Sequence, residues 1–253
     1  MSITMSFAGN NCNNMFQYAL LRRIADRNGY EFYVPQEAKE RLLRFFPNLY
    51  MGCDTFEEKQ SYYEKHEQPY DPEIFNIKDG TYIHGFFQTD KYFKGFENTI
   101  KQWLYIEPLV IEPDTCYIHL RGKDYYKGWP YLPVQYYTAS MQVVRTLNPK
   151  VKFKIITDDV KAAEEYFSPA EIISGNDVFD FTLMMSADYL IIANSSYSYM
   201  AAWLNDKAKM IIAPSRWFNY NKNYEHAGLG KGPEHKEEWY PIDIKTDKFT
   251  WIE

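Results

Sequence analysis

The run Thr115-Cys116-Tyr117-Ile118-His119, continuing as Leu120-Arg121-Gly122-Lys123-Asp124-Tyr125, decides how this 253-residue chain is read. Its first half is a short apolar and aromatic stretch that reads as a strand, and its second half turns abruptly polar around a glycine, as chain does on leaving a strand. In extended backbone His119 and Arg121 lie on one face, so an imidazole and a guanidinium converge where the strand ends.

The same pattern repeats downstream. A helix is expected over 135–147, a strand over 152–157, a helix over 160–166, a short strand near Glu171 and a helix over 180–187. A strand over 189–193, a helix over 198–205 and a strand over 210–213 follow. Strands separated by helices imply an α/β fold with a parallel sheet and helical crossovers. The last forty residues read as a long loop and a tail that packs back.

Upstream, residues 2–7 read as a strand, Gly9 to Asn14 as a loop, and a helix is expected from near Met15. Phe16, Ala19, Leu20 and Ile24 recur on one helical face, Asn13 or Asn14 is placed to cap the N-terminus, and Gly29 follows the last turn. A strand over 31–34, a helix over 39–46, a strand over 81–87 and a helix over 90–103 complete this part. The rest of 36–77 is polar, Tyr-rich and irregular. Pro108 and Pro113 interrupt the pattern, and the boundary between two domains, 1–110 and 111–253, is expected there.

Composition narrows the function. A net charge of −6 argues against nucleic acid held on a broad basic surface but leaves room for a local basic pocket. No stretch approaches the roughly 20 apolar residues of a membrane helix, and the N-terminus has no signal-peptide pattern. The chain is therefore expected to be soluble and cytoplasmic. Three scattered cysteines, Cys12, Cys53 and Cys116, suggest neither a disulfide framework nor a zinc cluster. The aromatic content suits a packed core first and stacking on sugars or bases second.

Open α/β sheets bind ligands beyond the carboxyl ends of their strands, and the polar residues of this chain concentrate there. The Gly9 to Asn14 loop leads into a helix start that favours an anion, or is an ordinary turn. Arg121 offers the paired donors that a phosphate takes, with Lys123 nearby, or forms a surface ion pair with Asp124. Asp158 is placed to accept from the N1–H and amine of a guanine or from a ribose, or else to cap the next helix, and capping is the first reading of Asp159. Asn194-Ser195-Ser196-Tyr197-Ser198 is a hydroxyl-rich turn suited to phosphate oxygens or to capping alone. No Asp-x-Asp pair, P-loop, H-E-x-x-H, C-x-x-C or G-x-S-x-G occurs. His66, His84, His226 and His235 have no ligand spacing.

Taken in order, six blocks resemble the α1,2-fucosyltransferase family. Asn13-Asn14-Met15-Phe16-Gln17-Tyr18-Ala19 is similar to G-N-Q-M-F-Q-Y-A, and Gly85-Phe86-Phe87-Gln88-Thr89-Asp90-Lys91-Tyr92-Phe93 to G-Y-x-Q-S-E-K-Y-F. His119 to Tyr125 resembles H-V-R-R-G-D-Y, Ile156 to Asp159 resembles F-S-D-D, Ile192 to Leu204 resembles I-x-A-N-S-T-F-S-W-W-A-A-W-L, and Pro214 to Phe218 resembles P-x-x-W-F. The resemblance implies a GT-B-like pair of Rossmann-type halves facing a cleft, with 1–110 on the acceptor side and 111–253 holding the nucleotide sugar. It implies inverting transfer of L-fucose from GDP-β-L-fucose to a hydroxyl of an oligosaccharide or glycan acceptor, as an α1,2 linkage, with no metal and no cofactor beyond the donor substrate.

On that resemblance Arg121 binds the pyrophosphate, Ser195 and Ser196 hold the β-phosphate with Asn194 beside them, and Asp158 reads the guanine. His119 orients the cluster, Lys123 adds charge, Asn13 approaches the donor, and Asp124 is the candidate base or else fixes Arg121. Gly122 and Lys123 stand where the family has a second arginine and a glycine, and Cys12 and Asn14 depart from its first block. A different GDP-sugar donor, or a GDP-sugar- or carbohydrate-binding protein without catalysis, therefore stand as alternatives.

Overall fold

A computed structural model describes residues 1–65, 70–122, 132–215 and 239–242. It divides into two units, Met1–Ile106 and Glu107–Glu253, and the break falls shortly before Pro108. Each unit is built on its own parallel sheet, so the α/β class expected from the alternation of elements is what the chain adopts.

In the first unit β1 (Ser2–Met5) feeds α1 (Asn11–Asn28), followed by β2 (Glu31–Tyr33), α2 (Gln36–Phe45), β3 (Gln60–Tyr63), β4 (Thr81–His84) and α3 (Glu97–Trp103). The strands lie in the order β2-β1-β4-β3, every neighbouring pair parallel. Helix α1 buries Met15, Phe16, Leu20 and Ile24 completely, which is the apolar face the helical spacing marks out. It ends as expected at Gly29, whose φ of 66° is left-handed and whose N–H donates to Ala25 O.

Three expectations for this unit need correction. Helix α1 starts at Asn11 with Asn10 at the cap position, not at Asn13 or Asn14. Asn14 is fully buried and spends its side chain on Phe7 O of the preceding loop and on Arg41 of α2. The helix expected over 90–103 is a short 3-10 turn, Asp90–Phe93, and then α3, parted by Gly95 at φ 79°. The irregular stretch before Ile77 contains β3 and a second 3-10 turn, Pro72–Asn76.

In the second unit β5 (Thr115–Leu120), α4 (Val134–Leu147), β6 (Lys152–Thr157), α5 (Val160–Phe167), β7 (Glu171–Ile173), α6 (Asp177–Ser186), β8 (Tyr189–Ile191), α7 (Ser196–Leu204), β9 (Met210–Pro214) and β10 (Tyr240–Ile242) follow one another. The sheet runs β10-β9-β8-β5-β6-β7, again wholly parallel. All six residues of β5 are buried, as the central strand of a sheet covered on both faces must be. Helix α4 is fastened over it by Tyr136, whose hydroxyl donates to Ile192 O at 2.7 Å.

Counted within this unit, the strands stand in the order 6-5-4-1-2-3. That is the doubly wound order, in which the chain builds outward from its first strand to one side and then returns to build to the other. The reversal falls between β5 and β8. Adjacent strand ends there send their loops in opposite directions and leave a crevice at their carboxyl ends.

Candidate functional site

The carboxyl ends of β6, β5 and β8 are consecutive across the second sheet, and they carry the polar residues singled out from the sequence. Leu120 pairs in register with Thr157, so the next residue of each strand, Arg121 and Asp158, emerges beside the other. The Arg121 guanidinium donates to Asp158 Oδ2, and the Gly122 N–H donates to Asp158 Oδ1 at 2.9 Å. Both groups keep about a quarter of their side-chain surface exposed, 24% and 29%. The pair is therefore reachable by a ligand. Among the described residues, two of the roughly four acceptor positions of the Asp158 carboxylate are used.

Asp159 does what its position suggests. Its side chain accepts from Ala162 N at 3.2 Å and caps α5, while its own N–H donates to Thr157 Oγ1 at 2.9 Å. This cap fixes Gly122 as well. A Cβ built on Gly122 would lie 2.3 Å from Asp159 Cβ and 2.9 Å from its Oδ2. The strand end thus approaches the cap more closely than any side chain allows, which is why a glycine stands at this position.

Across the reversal, β8 runs on into Asn194 and Ser195, both buried. Ser195 caps α7, accepting from Tyr197 N at 3.3 Å, and Ser198 Oγ donates back to Ala193 O at 3.2 Å. Ser196, the first residue of α7, remains partly exposed. The N-terminus of α7 thus opens at the crevice with the positive end of its dipole. Capping takes the Ser195 hydroxyl, and the open N–H groups of the first turn are what remains for an anion.

His119 lies inside this frame. Only 4% of it is exposed, its Nδ1 has no hydrogen-bond partner among the described residues, and its ring centroid is 5.4 Å from that of Tyr197. Burial, reinforced by the Arg121 charge, pushes the imidazole pKa down to about 3. It is neutral at ordinary pH and titrates too low to shuttle protons near neutrality. Tyr197, expected only as part of a hydroxyl-rich turn, ties the neighbourhood together: its hydroxyl donates to Asp177 O and its ring also meets Phe181. Its place in the second position of α7, facing the strand that carries the histidine, is the signal that could have marked it.

Asp124 and Lys123 lie outside the described residues, as do His66, His226, His235 and residues 216–238 of the chain's last part. His84 lies between Tyr63 and Tyr82, with ring centroids 4.5 Å away from each. Asn13 belongs to the first unit, where its side chain accepts from Gln88 Nε2. Among the described residues no group of three or more His, Cys, Asp or Glu side chains is arranged to hold a metal ion. No described helix is long and apolar enough to cross a membrane.

No family model matches the chain. Two curated proteins of Escherichia coli are homologous to it. The O-antigen biosynthesis glycosyltransferase WbnK is 30% identical over 132 residues, 47% of this chain and 44% of that protein. An alpha-1,2-colitosyltransferase is 27% identical over 205 residues, 70% of this chain and 67% of that protein. The chain thus spans less than half of the first relative and about two thirds of the second. Among solved structures, a mutant of Arabidopsis thaliana FUT1 in complex with GDP aligns over 84% of this chain and 69% of its own, at 11% identity and a TM-score of 0.46. POFUT1 in complex with GDP-fucose aligns over 82% of this chain and 94% of its own, at 11% identity and a TM-score of 0.43.

Proposed function

We propose that this chain is a glycosyltransferase that moves a deoxysugar from a GDP-sugar to a hydroxyl of a glycan acceptor. The observation that carries the reading is the meeting of Arg121, Asp158 and the N-terminus of α7 at the reversal point of a doubly wound sheet. Homology to two glycosyltransferases, one of them an alpha-1,2-colitosyltransferase, supports the same class. L-Fucose is the donor sugar that the sequence resemblance favours, with an α1,2 linkage to a galactose-like residue. The second relative makes colitose the alternative to test.

In this reading Arg121 and the first-turn N–H groups of α7, at Ser195 and Ser196 beside Asn194, hold the pyrophosphate. As the glycosidic bond breaks, charge builds on the departing GDP, and fixed donors aimed at that charge stabilise the transition state more than the ground state. Asp158 keeps Arg121 in place and offers its remaining lone pairs to the guanine N1–H and amine. His119, neutral and buried, supports the strand end from which Arg121 emerges. Lys123 adds positive charge, and Asn13 of the first unit is assigned to the sugar. Inversion requires the acceptor hydroxyl to lose its proton on the face opposite the leaving group, and Asp124 is assigned that base role from its sequence position.

The test is direct. The chain is incubated with GDP-fucose, GDP-colitose and UDP-galactose, each with galactose-terminated acceptors. Release of GDP with formation of a glycosylated product supports the reading, and turnover confined to UDP-galactose overturns the donor assignment. GDP binding without turnover of either GDP-sugar, with or without acceptor, would show a binding protein instead.

A further inference from the structure

The first sheet has a reversal point of its own. Its order β2-β1-β4-β3 places β2 on one side of β1 and the later strands on the other, so the loops after β1 and β4 part at adjacent carboxyl ends. Those two loops are held in costly conformations. Phe7 and Phe87 are both buried and both left-handed, at φ 45° and 51°, a region that bulky side chains rarely enter.

A polar network keeps them there. Asn14 Nδ2 donates to Phe7 O at 3.1 Å and to Gln17 Oε1 at 2.9 Å, and Gln17 Nε2 donates to Gly85 O at 2.7 Å. Arg41 donates to Gly9 O and to Asn14 Oδ1. Glu64 accepts from the N–H groups of both Phe86 and Phe87, at 2.7 and 2.9 Å. One buried amide pair and two charged side chains thus hold the shape of two short loops.

What the network presents is specific. Phe86 is 43% exposed, and its ring edge lies over Gly9, where a Cβ would come within 3.0 Å of Phe86 Cε1 and 2.1 Å of Asn13 Nδ2. Gln88 Nε2 donates to Asn13 Oδ1, so the two partly exposed amides are locked together beside the ring. Their remaining N–H and C=O groups have no partner among the described residues. Whichever way each amide is turned, their mutual bond leaves at least one donor and one acceptor side by side. An aromatic face flanked by a paired donor and acceptor is the chemistry that recognises a pyranose, whose C–H face stacks while adjacent hydroxyls both give and take hydrogen bonds.

We propose that the first unit carries a pyranoside-binding subsite at the β1/β4 reversal point, formed by the Phe86 ring and the Asn13 and Gln88 amides over Gly9. The assignment of a sugar, as opposed to another small polar ring, rests on the glycosyltransferase reading. Two sources offer the same chemistry, the acceptor glycan and the sugar of the donor.

Saturation-transfer NMR on the full chain with methyl β-galactoside and methyl α-fucoside, without nucleotide, tests binding alone. Steady-state KM values for the acceptor and the GDP-sugar, and the Kd for GDP, locate the source. Phe86→Ala and Gln88→Ala are expected to abolish saturation transfer to the methyl pyranosides and to raise one sugar-substrate KM by about tenfold, leaving the Kd for GDP within about twofold. Phe86→Tyr keeps the stacking face and is expected to bind as the unaltered chain does. A raised acceptor KM identifies the glycan as occupant, and a raised GDP-sugar KM with unchanged GDP affinity identifies the donor's sugar. Wild-type pyranoside binding and unchanged KM values in both alanine variants overturn the proposal, as does a parallel loss of GDP affinity. A chain that transfers no sugar but loses pyranoside binding in Phe86→Ala keeps the subsite and loses the transferase reading; transfer with unchanged KM values does the reverse.

Discussion

Arg121 and Asp158 are 37 residues apart in the chain, yet their side chains form an ion pair because each is the first residue past the end of one of two strands in parallel register. The guanidinium is oriented before any ligand arrives, and a preset donor adds more to transition-state stabilisation than one that must first be ordered. Arg121→Ala is expected to lower kcat/KM for the GDP-sugar by about two to three orders of magnitude. Arg121→Lys keeps the charge but not the planar pair of donors, and recovers only part of the loss. Steady-state kinetics, with circular dichroism to establish folding, decide this; a variant of unchanged activity would remove Arg121 from the site.

Asp158 has a separable signature. Asp158→Asn keeps a carbonyl for the Gly122 N–H but removes the charge facing Arg121 and the acceptor pair facing a guanine. Binding of GDP should weaken and the preference for GDP over UDP should narrow. Isothermal titration with both nucleotides separates the roles, since a loss of affinity with undiminished base preference would leave Asp158 solely as the support of Arg121.

Acid should destabilise the second unit through His119. The imidazole titrates near 6.5 in an unfolded chain, while burial holds it down to about 3 in the fold. Between those values the unfolded state binds a proton that the folded state does not, so this contribution to stability is complete above about pH 6.5 and is lost as pH falls toward 3. Urea unfolding at pH 7, 6, 5 and 4 should show a shallower decline for His119→Gln than for the unaltered chain. Parallel declines would show that His119 is protonated in the fold.

Gly122→Ala is expected to lower stability by about 1–3 kcal/mol, the usual cost of overpacking, because its new methyl group meets Asp159 at its rigid, backbone-proximal Cβ. Thermal unfolding reads this directly. An unchanged midpoint would mean that the α5 cap gives way without cost.

If Arg121 and the N-terminus of α7 take the leaving-group charge as proposed, transfer does not depend on a divalent ion. Transfer activity should persist after dialysis against EDTA, assayed in metal-free buffer. Activity lost on chelation and restored by Mg²⁺ or Mn²⁺ would contradict that assignment.

The buried strands were legible because each is a short stretch rich in apolar and β-branched residues bounded by turn residues: the stretches over 115–119 and 152–157 fold as Thr115–Leu120 and Lys152–Thr157. Strand β3 was not, since Gln60–Tyr63 sits at a sheet edge with little apolar burial to impose an alternating pattern. The helix over 90–103 was misread because helical spacing persists through Gly95, while that residue's left-handed backbone ends the turn. Asn14 looked like a cap because Asn at a helix start usually is one; its burial beneath Arg41 of α2, 27 residues away, is a tertiary property that local pattern does not carry.

Site residues followed the same division. That Arg121 and Asp158 follow strands was readable, and their pairing follows once those strands are neighbours in register. Phe86 and Gln88 stand in the sequence only as part of a motif, because their significance depends on β1 and β4 being adjacent, which chain order does not suggest.

The contact between Gly122 and the α5 cap also couples two positions in evolution. An arginine at 122, as in the motif this segment resembles, would have to displace the Asp159 side chain that occupies its space. In this chain the two sites are therefore coupled: Gly122→Arg should be harmful, and shortening the cap with Asp159→Ser should recover part of the loss. Each step past this strand end is therefore conditional on the residue already standing at the cap.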